Sequence, residues 1–178
     1  LIECVQGNIA AQNGFDAVVN AANKYLIAGS GVSGALHRVA GPELEKECIT
    51  KAPVETGQAV ITGAYRLPNR YVIHCVGPIY GVNEPSDHLL TSCYWNVLKL
   101  AEEKGIESIA FPAISTGVYL YPLEEAAEVA LRTVVELAPS LEHVKRIRFV
   151  LYDDNALAVH EQVLSRLMND LDEGNCIN

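Results

Sequence analysis

The sequence predicts an α/β fold, a three-layer α/β/α sandwich in which helices cover both faces of a sheet that is largely parallel at its centre. Three observations carry that expectation. Six short runs rich in β-branched residues recur along the chain, and between them lie stretches whose apolar residues repeat at three- and four-residue spacing. The chain of 178 residues, 49% hydrophobic and 20% charged, has the length and apolar content for one core and too little length for two. A single domain over residues 1–178 is expected.

In chain order, Ile2 to Val5 and Ala17 to Val19 read as the first two strands. A helix is predicted from near Ser33, broken at Gly41-Pro42 because proline lacks the amide donor and restricts the residue before it. Ala59 to Thr62 and Tyr71 to Val76 are the next strands, followed by a Pro/Gly/Asn surface loop from Gly77 to Ser86. Leu90, Tyr94, Val97, Leu98 and Ala101 form one helical face. Strand Ser108 to Phe111 precedes the clearest helix, marked by Leu123, Ala126, Ala127, Ala130, Val134 and Leu137. Strand Ile147 to Tyr152 then leads to a closing helix through Ala156, Val159, Val163, Leu164 and Leu167.

Charge narrows the class of partner. With 13 basic and 22 acidic residues the formal net charge is -9, which argues against a general electrostatic grip on nucleic acid or on an anionic membrane. Any anionic ligand has to be held locally. The sequence contains no run of 18 apolar residues, and its opening Leu1-Ile2-Glu3-Cys4 lacks the features of a signal peptide; the missing initiator Met reads as trimmed numbering or a fragment. Five cysteines without a Cys-x-x-Cys pair fit reduced thiols and a cytoplasmic location. Scattered Cys and His residues lack metal spacing, so no metal or redox cofactor is expected.

In open α/β sheets, ligands collect beyond the carboxyl ends of the strands, and two loops there carry chemistry. The first runs from Asn20 through Asn23 to Gly29-Ser30-Gly31-Val32-Ser33-Gly34 and enters a helix. Glycines admit a ligand close to the backbone, and successive amides at a helix start make an anion nest that needs no lysine. The same glycines would also serve a plain tight turn. The string satisfies G-x-G-x-x-G, but the strand before it ends about nine residues too early for a dinucleotide fingerprint, and Gly-Lys-Ser/Thr is absent. The second loop, Pro112-Ala113-Ile114-Ser115-Thr116-Gly117-Val118-Tyr119, offers amides and hydroxyls to a second phosphate, with Tyr119 placed to cover a sugar. Two such loops after two strands suit a diphosphate.

Five segments together resemble the macrodomain family, the ADP-ribose-binding module, and most of all its bacterial branch of O-acetyl-ADP-ribose deacetylases. They are Val5-Gln6-Gly7-Asn8-Ile9, Val18-Val19-Asn20-Ala21-Ala22-Asn23, Gly34-Ala35-Leu36-His37-Arg38, His74-Cys75-Val76-Gly77-Pro78 and Phe111 to Tyr119. The resemblance covers nearly all of residues 2–170. It implies a mixed six-stranded sheet, adenine near Asn8, Ile9 and Tyr152, the diphosphate between Gly31, Val32, Ser33, Gly34 and Ser115, Thr116, Gly117, Val118, and the distal ribose at Asn20, Asn23 and Tyr119. It further implies hydrolysis of an ester at the distal ribose, of O-acetyl-ADP-ribose or of mono-ADP-ribosylated protein, with Asn23 and Ser33 at the reacting end; the alternative is a reader that binds ADP-ribose without turnover.

Departures from the family pattern bear on that activity. Many hydrolytic relatives carry aspartate where this chain has Ser33, and a neutral hydroxyl is a poor general base near pH 7. Asn8 replaces the usual aspartate, leaving its amide oxygen to accept from the adenine amine. Ser30 and Leu120 replace common glycines, and Leu120 is expected to narrow the cleft at the distal ribose. His37 is read as opening a helix beside the glycine loop, in an acid-base or a structural role. His74-Cys75 cannot readily form a dyad, because adjacent strand residues point to opposite faces. Asp153 and Asp154 either serve the adenosine or cap the last helix.

Overall fold

The computed structural model describes residues 1–176. Its six strands are β1 (Ile2–Gln6), β2 (Ala17–Ala22), β3 (Ala59–Gly63), β4 (Tyr71–Val76), β5 (Ser108–Phe111) and β6 (Arg146–Leu151), in the spatial order β1-β6-β5-β2-β4-β3. Every neighbouring pair is parallel except β3 with β4, so the sheet is mixed and largely parallel, with its one antiparallel strand at an edge. The helices are α1 (Gly31–Ala40), α2 (Pro42–Lys51), α3 (Ser86–Glu103), α4 (Leu123–Leu137) and α5 (Asp154–Asn175).

Two apolar layers result. Ala17 and Val19 of β2 face a cluster completed by Leu90, Tyr94 and Leu98 of α3, Leu131 and Val134 of α4, and Leu167 of α5. Val18 and Ala22 face the other way, toward Leu36 and Ala40 of α1 and Leu44 and Cys48 of α2. Strand β2 is therefore covered on both sides, as a central parallel strand must be, and its alternation decides which helix layer each side chain meets. His74 and Cys75 obey the same rule. Cys75 joins the first layer, whereas His74 bonds to β2, β3 and α2 on the second.

Local chemistry sets the element ends. Gly41 and Pro42 end α1 and start α2 as predicted, and Glu43 and Glu45 in the first turn of α2 complement the helix dipole. Asp153 caps α5, its Oδ1 accepting from the Ala156 amide at 2.8 Å. Glu128 of α4 pairs with Arg132 on its own helix and Arg166 on α5, tying the two together. At the heart of the first layer Tyr94, Phe111 and Phe149 pack with ring centroids 5.3 to 6.1 Å apart, and the Tyr94 hydroxyl accepts from the Ile114 amide at 3.4 Å, anchoring the loop that follows β5.

Strand ends at β1, β3 and β6 shift by one residue from the sequence reading, and two larger differences bear on the site. Strand β2 continues past Val19 to Ala22, because Asn20, Ala21 and Ala22 keep full register with His74, Cys75 and Val76 of β4. Helix α1 starts at Gly31, not near Ser33, so His37 lies in its last turn and is buried instead of opening it. The start of α1 is wedged against the loop before it: a Cβ added at Gly34 would overlap the Gly29 carbonyl oxygen. Alanine normally gains about 1 kcal/mol over glycine inside a helix, but here the clash is with backbone. Gly34→Ala is expected to lower stability by about 1–3 kcal/mol, read as a lower urea midpoint with an unchanged m-value.

Candidate functional site

Because β2 and β5 are parallel neighbours, the loops that leave them emerge at the same edge of the sheet and form the two walls of a cleft. The cleft has two lobes. One, of about 360 Å³, is lined by Asn23, Ser33, Ser115, Val118 and Tyr119, with Gly77 and Ala113 at its base. The other, of about 830 Å³, is lined by Asn8 and Ile9 from the turn after β1, by Arg38 and Thr116, and by Tyr152 and Asp153 after β6. Gly31, Val32, Ala113 and Gly117 line both, so the lobes meet where the two loops face each other.

That waist suits an anion. The first amides of α1 have no intrahelical acceptor by helix geometry, and the amides of Gly117, Val118 and Tyr119 find no acceptor among the described residues. Gly31 has φ 62°, a left-handed conformation that favours glycine, and it turns the chain into α1. On the opposite wall Ser115 (φ 68°) and Leu120 (φ 60°) adopt the same region without being glycine. Their turn is closed by the Leu120 amide donating to Gly117 O at 3.0 Å and the Tyr121 amide to Ser115 O at 2.9 Å.

The side chains expected to meet a ligand divide sharply. Ile9, Val32 and Val118 offer apolar walls, while Tyr119 and the 92% exposed Tyr152 stand at opposite lobes. Asn20 does not reach the cleft. Its even position on β2 turns it into the second layer, where it is fully buried and its Nδ2 lies 3.1 Å from His74 Nδ1. Gly34 lines neither lobe, since it packs on Gly29. Ser115 and Thr116 do not present the expected hydroxyls: Thr116 Oγ1 and the Thr116 amide both donate to Ala113 O, at 2.8 and 3.4 Å, and Ser115 Oγ is buried against Gly77 without a partner.

Three polar side chains carry prior commitments. Asn23 clamps its own loop, with Nδ2 donating to Ile27 O at 2.9 Å and Oδ1 accepting from the Ile27 amide at 3.1 Å. It keeps one N–H and one lone pair for a ligand. Asn8 caps the short 3-10 turn Ile9–Ala11, so the oxygen expected to receive an adenine amine already accepts from the Ala10 amide at 2.9 Å and keeps one lone pair, beside an unpaired NH2 donor. Ser33 donates to Ile27 O at 3.4 Å and lies 3.5 Å from Asn20 Nδ2. Leu120, 75% exposed, points to solvent and narrows nothing.

The sequence reading assigned no role to Arg38 or Asn155, which also line the larger lobe. Arg38 was legible in principle, since Val32, Ala35 and Arg38 recur every third residue along the face of α1 that borders this lobe. Asp153 both caps α5 and lines the lobe.

An α/β/α sandwich with a two-lobed cleft pinched between amide-presenting loops has the architecture of a ligand-binding domain. The chain belongs to the Macro domain family, whose model matches residues 19–130. A protein of Citrobacter rodentium named O-acetyl-ADP-ribose deacetylase is 45% identical over 170 residues, covering 93% of this chain and 96% of its own length. The Oceanobacillus iheyensis macrodomain with ADP superposes with a TM-score of 0.89 at 38% identity, covering 94% of this chain and 91% of that one. The Trypanosoma brucei macrodomain in complex with ADP-ribose gives 0.84 at 38% identity, over 90% of this chain and 68% of that one. None of the described helices is long and apolar enough to cross a membrane.

Burial of three histidines also sets a pH response. Desolvation, aided by the nearby His37, pulls the His74 pKa from 6.5 down to about 3, and burial lowers His37 and His160 as well. Each ring is protonated more readily in the unfolded chain, so the stability they permit is complete above 6.5 and is lost as pH falls toward the folded values. His74 alone should cost on the order of 1 kcal/mol per pH unit in that window. Urea midpoints should fall between about pH 7 and pH 5, and less steeply in His74→Gln.

Proposed function

We propose that this chain binds ADP-ribose across the cleft, adenosine in the larger lobe and distal ribose in the smaller, and hydrolyses an ester at the distal ribose. The carrying observation is the waist: two opposed sets of unpaired amides, of Gly31 to Ser33 and Gly117 to Tyr119, separate one lobe for a nucleoside from another for a sugar. Backbone donors explain how a chain of net charge -9 holds a diphosphate. Relatives whose names include ADP, ADP-ribose and O-acetyl-ADP-ribose deacetylase support the same ligand class.

For an ester such as O-acetyl-ADP-ribose, water adds to the acyl carbon, the bond from that carbon to the ribose oxygen breaks, and the ribose oxygen leaves with a proton as the hydroxyl of free ADP-ribose. Mono-ADP-ribosylated protein is the other substrate of this class. Asn23 orients the ribose with its remaining N–H and lone pair, and Ser33 contacts the water or the adjacent phosphate. A phosphate oxygen of the substrate is the base available to order that water, since Ser33 is not one. The neutrality of Ser33 also favours a second reading, a reader of ADP-ribosylated protein.

Calorimetric titration with ADP-ribose, followed by assays for acetate and ADP-ribose release, separates the two: binding with turnover is expected, and binding without it leaves the reader. Gly117→Glu should abolish ADP-ribose binding without loss of stability, because a Cβ there meets only open space and φ is not left-handed, while the carboxylate opposes the phosphates. Unchanged affinity would remove the diphosphate from the waist. Ser33→Asp should raise turnover at saturating substrate by about tenfold or more, as a positioned general base does. A rate at or below wild type with ADP-ribose still bound would take water activation away from this position.

A further inference from the structure

Beneath the first turn of α1, an apolar layer holds a line of polar side chains that no surface contact with a ligand requires. Asn20 on β2 and His74 on β4 are register partners, and both are fully buried. Such groups are costly unless hydrogen-bonded. One assignment of protons meets the contacts of Thr62, His74 and Ser33 together. Thr62 Oγ1 lies 2.9 Å from Gly63 O and 2.9 Å from His74 Nε2. Thr62 has one proton for these two neighbours; with that proton on Gly63 O, which can only accept, His74 donates from Nε2–H to the threonine oxygen. Nδ1 is then bare and accepts from Asn20 Nδ2 at 3.1 Å.

The same Asn20 nitrogen lies 3.5 Å from Ser33 Oγ, and the serine proton goes to Ile27 O at 3.4 Å. Reversing the Asn20 amide would set its oxygen against Nδ1, demand a proton there, and break the agreement with Thr62 and Gly63. Both contacts of Ser33 exceed the usual hydroxyl hydrogen-bond length, so the hydroxyl is held in place yet can turn to a nearer acceptor in the smaller lobe, which it lines.

We propose that Asn20 and His74 are positioning residues for Ser33: a chain from Gly63 through Thr62, His74 and Asn20 supplies a donor to the serine oxygen from below and leaves the serine O–H as a donor toward the cleft. Ser33 thereby stabilises a negatively charged substrate oxygen and does not take a proton from water. A carboxylate at position 33 would be received by the same Asn20 donor. The kinetic part of this inference rests on the hydrolase reading above; the proton placement does not. The low pKa of His74, about 3, keeps the ring neutral at ordinary pH, in agreement with the chain.

Two substitutions split the ring. His74→Asn keeps an acceptor at the place of Nδ1 and loses the donor at Nε2, whereas His74→Gln does the reverse. On O-acetyl-ADP-ribose, His74→Gln should lower kcat about tenfold with KM changed less than about twofold, and His74→Asn should recover most of that loss. In a Ser33→Ala background His74→Gln should add nothing, because its effect passes through Ser33. Equal losses in the two variants, tracking their stabilities, or additive losses with Ser33→Ala, would overturn the proposal. Nitrogen-15 spectra of the wild type give a readout without turnover: Nε2 carries the proton, and the Nδ1 resonance moves on Ser33→Ala and on adding ADP-ribose. A protonated Nδ1 or an unmoved resonance overturns the proposal, whereas absent turnover with these shifts intact defeats the hydrolase reading alone.

Discussion

The parallel pairing of β2 with β5 on one side and β4 on the other is the constraint on which the rest depends. Parallel neighbours end at the same edge of a sheet, so the loop after β2 and the loop after β5 have to face each other, while the chain returns through helices on either face. The cleft is the space between those returns. Its depth follows from the close seating of Gly34 on the Gly29 carbonyl and from the Tyr94 hydroxyl under Ile114, which fix one wall from α1 and the other from α3.

Anion binding by such walls differs in kind from binding by a basic patch. The amides at the start of α1 and in the turn 115–120 are fixed partial charges, already oriented, and they impose no net positive charge on an acidic chain. Arg38 in the larger lobe is the one cation that the cleft lining includes among the described residues. Ordering the walls carries a cost visible in the backbone: Ser115 and Leu120 hold left-handed conformations because the hydrogen bonds closing their turn overdetermine them.

A second cost lies under the site. Asn20, Thr62 and His74 occupy positions that aliphatic side chains would fill with less risk, and Asn20 Oδ1 and His37 Nε2 remain without partners among the described residues. A neutral histidine limits this cost, since burial penalises the charged ring most. The side chains beneath Ser33 and the expected acid sensitivity of the fold thus share His74.

The alternation of strands and helices, the break at Gly41-Pro42 and the segments that border the cleft were all readable from residue types, because periodicity, proline geometry and glycine freedom are local properties of the chain. The direction of a side chain was not. Asn20 looked like the first residue of a loop because asparagine is rare in strands, yet pairing with β4 extended β2 and turned the amide into the core. Asn8, Ser115 and Thr116 carry polar groups in segments that border the cleft, but a cap, a left-handed φ and a local bond to Ala113 commit part of what those groups could offer. Sequence alone determined which segments border the cleft and which chemical groups they carry. Only the tertiary structure decided which of those groups remain free, because each buried donor and acceptor first satisfies its nearest partner, and partners distant in sequence come together only when the sheet is assembled.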